Sequence, residues 1–227
     1  MSPTPSIRHF HDELEQLQSR LIGMSSLAEE LVGTAVEALL ERDTAKAQSV
    51  ILGDREVDAI ELEIDDASIQ LLALQQPMAR DLRLITMAMR ISNDIERIGD
   101  HAVNIAEAAV ELSRYPVFPS LPEIEEMARH AREMLADALD DFVRGDSRAA
   151  REVCARDDQV DALYASVFRI LLTHMMEEPR RIGPSMSLFL VAENLERIAD
   201  LATNIAEDVV FLVEGRTIKH RSEQRAG

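Results

Sequence analysis

Cysteine is nearly absent. The one thiol, Cys154, cannot close an internal disulfide, and its flanks (Arg151-Glu152-Val153 and Ala155-Arg156-Asp157) do not suit a reactive site. A packed thiol in a reducing, cytosolic protein is expected. Glycine and proline are scarce, at eight each, and only 4% of the chain is aromatic. Yet 46% is hydrophobic, carried by Leu, Ile, Val, Ala and Met, a mixture that suits an all-helical protein. Long apolar runs are missing too. The longest, Met186 to Ala192, is broken by Ser187 and falls far short of the ~20 residues that a membrane span needs. Met1 to Glu15 is polar and charged, so no secretory leader is expected. Basic residues are outnumbered, 24 against 42 acidic ones, for a formal charge of −18. That balance argues against a nucleic-acid groove or wide docking on anionic lipid, and favours cations or basic patches on protein partners. The exception is a short basic tail of Arg216, Lys219, Arg221 and Arg225, expected to fray.

What is present is a repeat. Glu96-Arg97-Ile98-Gly99-Asp100 followed by Asn104-Ile105-Ala106-Glu107 returns as Glu196-Arg197-Ile198-Ala199-Asp200 followed by Asn204-Ile205-Ala206-Glu207. Around these copies the chain reads as six helices. The first covers residues 6–42, after a loose start containing Pro3 and Pro5. Asp43 then caps a second helix that runs to about Gln75, with Val50, Val57, Ile64 and Leu71 stepping by seven as a packing seam. A third, from about Ala79 to Arg114, has the seam Leu84, Ile91, Ile98, Ile105 and Leu112. Pro116, Pro119 and Pro122 mark a linker. The fourth, fifth and sixth helices (residues 123–144, 147–177 and 184–215) repeat the first three at offsets of 100 to 103. The expected organisation is all-α: a three-helix bundle in residues 1–114, a Pro-rich linker at 115–122, a second three-helix bundle in 123–215, and a basic tail at 216–227.

The acids set the chemistry. Asn93, Glu96, Asp100, Asn104 and Glu107 fall within about 80° of one helix face, nearly opposite the apolar seam. One copy alone reads as a solvated acidic face with Arg97 paired to Asp100. Duplication with residue identity argues for more, because solvation requires only polarity. The preceding helix of each half also adds a matched pair, Asp54 and Asp58 in the first and Asp157 and Asp161 in the second. Each half then offers four carboxylates from two consecutive helices: Asp54, Asp58, Glu96 and Asp100, and Asp157, Asp161, Glu196 and Asp200. Oxygen donors of this kind suit hard cations such as Fe, Mn, Mg or Ca. Zinc would call for Cys or His, and His101 aligns with Leu201, so no histidine recurs in both halves. His9, His11, His130, His174 and His220 are scattered. With no Gly-rich phosphate loop, no His-Glu-x-x-His and no Gly-x-Ser-x-Gly, no enzymatic activity is expected.

The run Ser92 to Glu107, with Gln75 to Ile85 before it, resembles the signature of the PhoU family of phosphate-signalling proteins, and the resemblance extends from about Phe10 to Gly215. It implies two bundles of antiparallel helices related by a pseudo-two-fold. It also implies metal ions, or a multinuclear iron cluster, held by the eight acids just named. Finally, it implies a cytoplasmic regulator that restrains phosphate uptake through the phosphate ABC transporter and the phosphate sensor histidine kinase. Such a protein would be recruited to the membrane by those partners. Its two similar faces could hold one partner each or pair in a homodimer. Gly99 departs to Ala199 between the copies, so the two sites need not hold the same number of ions. A metal buffer and a plain helical scaffold are the other readings.

Overall fold

The computed structural model describes residues 5–218; Met1 to Thr4, and Lys219, Arg221 and Arg225 of the basic tail, lie outside the described residues. Every regular element among the described residues is helical. These elements are α1 (Pro5–Glu41), α2 (Thr44–Gln75), α3 (Ala79–Leu112), α4 (Pro122–Arg144), α5 (Ser147–Cys154), α6 (Asp157–Glu177) and α7 (Ile182–Glu214), with a 3-10 turn at Pro179–Arg181 before α7. Pro5 was expected in a loose lead and instead opens α1, where its missing N–H costs nothing. Asp43 caps α2 as expected, its Oδ1 accepting from the backbone N–H of Ala45 (2.8 Å) and Lys46 (3.1 Å). Asp146 caps α5 in the same way, through Arg148 and Ala149.

The heptad steps bury as their spacing requires. Val50, Val57, Ile64 and Leu71 of α2 lie in the core, as do Ile91, Ile98, Ile105 and Leu112 of α3, while Leu84 is only partly covered. α1, α2 and α3 pack on one another, and α4, α5 and α6 pack on α7. The two groups meet where α3 lies against α7 and α1 against α4. Polar contacts cross the α3–α7 seam. Arg90 pairs with Asp208 at 2.9 Å, and His101 Nδ1 meets the Asn194 Oδ1 at 2.8 Å, which also accepts from Asn104.

Two features depart from the periodicity. The proline-containing connection is not a slack tether. Arg42 donates to the carbonyls of Leu112, Ser113 and Tyr115, Leu121 is buried, and Phe118 sits edge-on to His174 at 5.2 Å. The helix expected to run unbroken through residues 147–177 is divided at Ala155-Arg156 into α5 and α6. There the Arg156 side chain reaches across to Asp137 on α4 (2.5 Å), and Asp157 and Asp158 begin a new helix at its favourable, positive end. In α2 the corresponding Leu52-Gly53 is continuous.

Candidate functional site

In the first half, α2 and α3 bring Asp54, Asp58, Glu96 and Asp100 within electrostatic reach of one another. Burial, then the carboxylates of Asp58 and Asp100, push Asp54 up to about 6. Glu96 is raised by burial first, then by Asp100, Asp58, Glu61 and Asp54. Among the described residues, the causes of both rises include no opposing positive charge. Asp54 Oδ1 is sealed from solvent without a hydrogen-bond partner, pressed against the backbone of Gly99. Arg97, expected to pair with Asp100, turns instead to Asp94 on its own helix (3.3 Å) and leaves the cluster without its cation.

The second half is built alike but balanced differently. Burial, then Asp200 and Asp161, raise Asp157 to about 6. Its Oδ1 accepts from the Thr203 hydroxyl at 3.4 Å, a partner for which the first half has only Val103. Glu196 is raised by burial and by Asp200, against Arg197. Asp200 is raised by burial and Asp161, against Arg197 and against Arg97 and His101 from α3. Arg197 does make the i,i+3 contact missing in the first copy, at 3.7 Å to Asp200, and stands as close to Glu196. The site on α2 and α3 is therefore the more electron-rich, and the site on α6 and α7 is partly neutralised from within.

The eight acids thus lie as two groups of four along consecutive helices of their repeat; Asp54, Glu96, Asp157, Glu196 and Asp200 are partly buried, and Asp58, Asp100 and Asp161 are exposed. Glu61 is an addition that residue spacing alone did not single out, although it stands three residues after Asp58 on the same face of α2. Asn104, aligned with the acids on the helical wheel, leaves them for Asn194. Cys154 is half-buried as expected for a packed thiol, its Sγ 3.9 Å from the Thr203 carbonyl, and burial pushes it up to about 11, away from reactivity.

The donor set fits a hard cation. It is all oxygen, it repels itself, and one buried oxygen is orphaned. The side-chain geometry does not preform a coordination sphere, because among the described residues no three His, Cys, Asp or Glu side chains stand together as a ready metal site. Among those residues no helix is long and apolar enough to cross a membrane.

Comparison with known proteins places this geometry in a family context. The family model described as the PhoU domain matches residues 21–109 and again 124–209. A phosphate-specific transport system accessory protein PhoU homolog of Xylella fastidiosa is 38% identical over 92% of this chain and 88% of its own length. The protein of that description from Pseudomonas putida is 39% identical over 96% of this chain and 86% of its own. The crystal structure of PhoU from Pseudomonas aeruginosa has a TM-score of 0.89 at 38% identity, covering 91% of this chain and all of the other. The phosphate transport system regulatory protein PhoU from Streptococcus pneumoniae has a TM-score of 0.86 at 28% identity, over 92% and 99%.

Proposed function

The chain belongs to the PhoU family, and from that premise we propose that it is a cytoplasmic regulatory adaptor of phosphate uptake that acts by binding rather than by catalysis. Its partners are the phosphate ABC transporter and the phosphate sensor histidine kinase. Residues 1–114 and 123–215 act as two similar modules joined at 115–122, and a homodimer would pair such modules between copies. The observation that carries the reading is near full-length correspondence with relatives that are themselves named phosphate-specific transport accessory proteins. The charge of −18 supports it, since a basic surface on a partner would be attracted over the ~10 Å that screening allows at 0.1 M salt.

The acids give the adaptor a cation dependence. Asp54, Asp58, Glu96 and Asp100 would hold ions in the first module, and Asp157, Asp161, Glu196 and Asp200 in the second. A bound iron, manganese, magnesium or calcium ion supplies positive charge that relieves the repulsion among these carboxylates. Asp54 supplies the desolvated donor, and Arg197 limits the charge that the second module can take up. A metal buffer is the competing reading, favoured by the same duplicated carboxylates.

The test is membrane recruitment in cells with and without the phosphate transporter, together with the phosphate response after deletion of this protein. Transporter-dependent recruitment and a response lost on deletion are expected. Equal cytosolic distribution in both strains with an intact response would remove the adaptor reading and leave the buffer.

A further inference from the structure

The second repeat carries four charged residues at positions where the first has uncharged ones. The turns between α1 and α2 and between α4 and α5 correspond bond for bond. The N–H of Asp43 donates to the Ala38 carbonyl at 2.9 Å, and the N–H of Asp146 donates to the Asp141 carbonyl at 3.0 Å. In that register Thr34, Ala38, Ser49 and Gly53 of the first half become Asp137, Asp141, Glu152 and Arg156 of the second. Four uncharged residues are replaced by four charged ones at one junction. This junction is also where the second half breaks its helix, at Ala155-Arg156.

Asp141 takes the place of a fully buried alanine and is itself only 5% exposed. Its Oδ2 is sealed from solvent with no hydrogen-bond partner, and among the described residues its carboxylate is in no ion pair. A carboxylate this deep needs a proton or a cation to be tolerated. Asp141, Asp137, Glu152, Arg144 and Arg156 line a cavity of about 320 Å³. The two guanidinium groups in its wall are already engaged, Arg156 with Asp137 and Arg144 with Asp140 at 3.0 Å. That leaves Asp141 inside and Glu152 at the exposed edge as the acids in excess, with Arg148 only approaching Glu152 at 3.9 Å.

We propose that this cavity between α4 and α5 binds a primary ammonium group, carried by a free diamine or by a lysine side chain, with Asp141 as its principal acceptor. A metal ion is the poorer fit, because two guanidinium groups stand in the wall and leave only Asp141 and Glu152 as uncommitted acids. An ammonium is a compact point charge with three rotatable donors, and it is held by Asp141 once the carboxylate, which lines the cavity, turns its sealed Oδ2 outward, with Glu152 beyond it. Burial, then Asp146 and Asp137, hold Asp141 up to about 6, with Arg144 opposing. The carboxylate is therefore mostly ionised at neutral pH and mostly protonated near pH 5, whereas an alkyl ammonium stays charged throughout. Binding accordingly weakens as pH falls through about 6. None of the eight acids on α2, α3, α6 and α7 lines this cavity.

Titration calorimetry of the whole protein with putrescine, and separately with Nα-acetyl-lysine methylamide, tests this at neutral pH and constant ionic strength. Saturable binding of at least one probe is expected, weakened about tenfold or more in Asp141→Asn and in Asp141→Ala. The probe that binds more tightly identifies free diamine or lysine as the source. Asp141→Ala restores the residue found in the first repeat, and Asp141→Asn preserves shape, so at least one of the two is expected to fold as wild type does by circular dichroism. A folded Asp141 variant that binds both probes as wild type does, or a wild type that binds neither, overturns the proposal.

Discussion

Gly99 on α3 lies against the carboxylate of Asp54 on α2, so closely that a β-carbon at position 99 would overlap Asp54 Oδ1. The absent side chain is what lets this carboxylate settle against α3 with its Oδ1 sealed from solvent. In the second repeat Ala199 carries that β-carbon, and Asp157 takes a hydrogen bond from Thr203 instead.

Gly99→Ala should therefore expel Asp54 from its pocket. The expected result is less metal bound in the first half, with stability in chelator unchanged or slightly raised. Alanine is favoured over glycine inside a helix by roughly 0.8–1 kcal/mol, and an uncompensated carboxylate is released toward water. Elemental analysis paired with a melting scan measures both; full metal content in the variant would show that the buried position of Asp54 is irrelevant to binding.

Glu96→Gln combined with Asp100→Asn should remove metal from the first half and spare the second, and Glu196→Gln with Asp200→Asn should do the reverse. The motivation is that each half assembles its own four acids. Metal content unchanged in both double variants would reduce these acids to a solvated face.

Stability without metal should rise as the solution is acidified from about pH 7 to about pH 5. Asp54, Asp141 and Asp157 each stand near 6 in the folded protein against 3.8 for an ordinary aspartate. A folded-state value above the unfolded one means that the native protein holds extra protons between those limits. The stabilisation is complete below 3.8 and disappears as pH rises through about 6. Glu37 and Glu214 are lowered by Lys46, and by Ser147 and Arg151, so their contributions fade only in stronger acid. A chelated sample whose melting temperature falls steadily from neutral pH to pH 5 would contradict the assignment.

Ile98→Ala or Ile198→Ala should cost roughly 2–5 kcal/mol, the range for a large-to-small change in a core, since both side chains are fully buried. The acid variants should not approach that loss, because neutralising like charges four residues apart relieves about 0.2–0.5 kcal/mol per pair. Denaturant titration in chelator separates the two classes, and acid variants falling as far as the Ile variants would erase the distinction between site and core.

The helices, the caps and the duplication were legible in the amino-acid order, because each depends on neighbours a few residues away. A step of seven puts Val50, Val57, Ile64 and Leu71 on one stripe whatever they pack against, and an Asp two residues before a free N–H caps it locally. The acids of each half could likewise be grouped by spacing and repeat. Tertiary structure decided which charges meet across helices. Arg97 had two carboxylates at i±3, and the chain alone could not say that it turns to Asp94 while its counterpart Arg197 keeps Asp200. Asp208 and Asp141 look like ordinary surface acids until α3 and the α5 turn close over them. The break at Ala155-Arg156 has no glycine or proline to announce it, and the bond that Arg156 makes there goes to Asp137, nineteen residues earlier. Periodicity specifies a face, and only packing specifies what that face meets, with the desolvation and charge balance that follow.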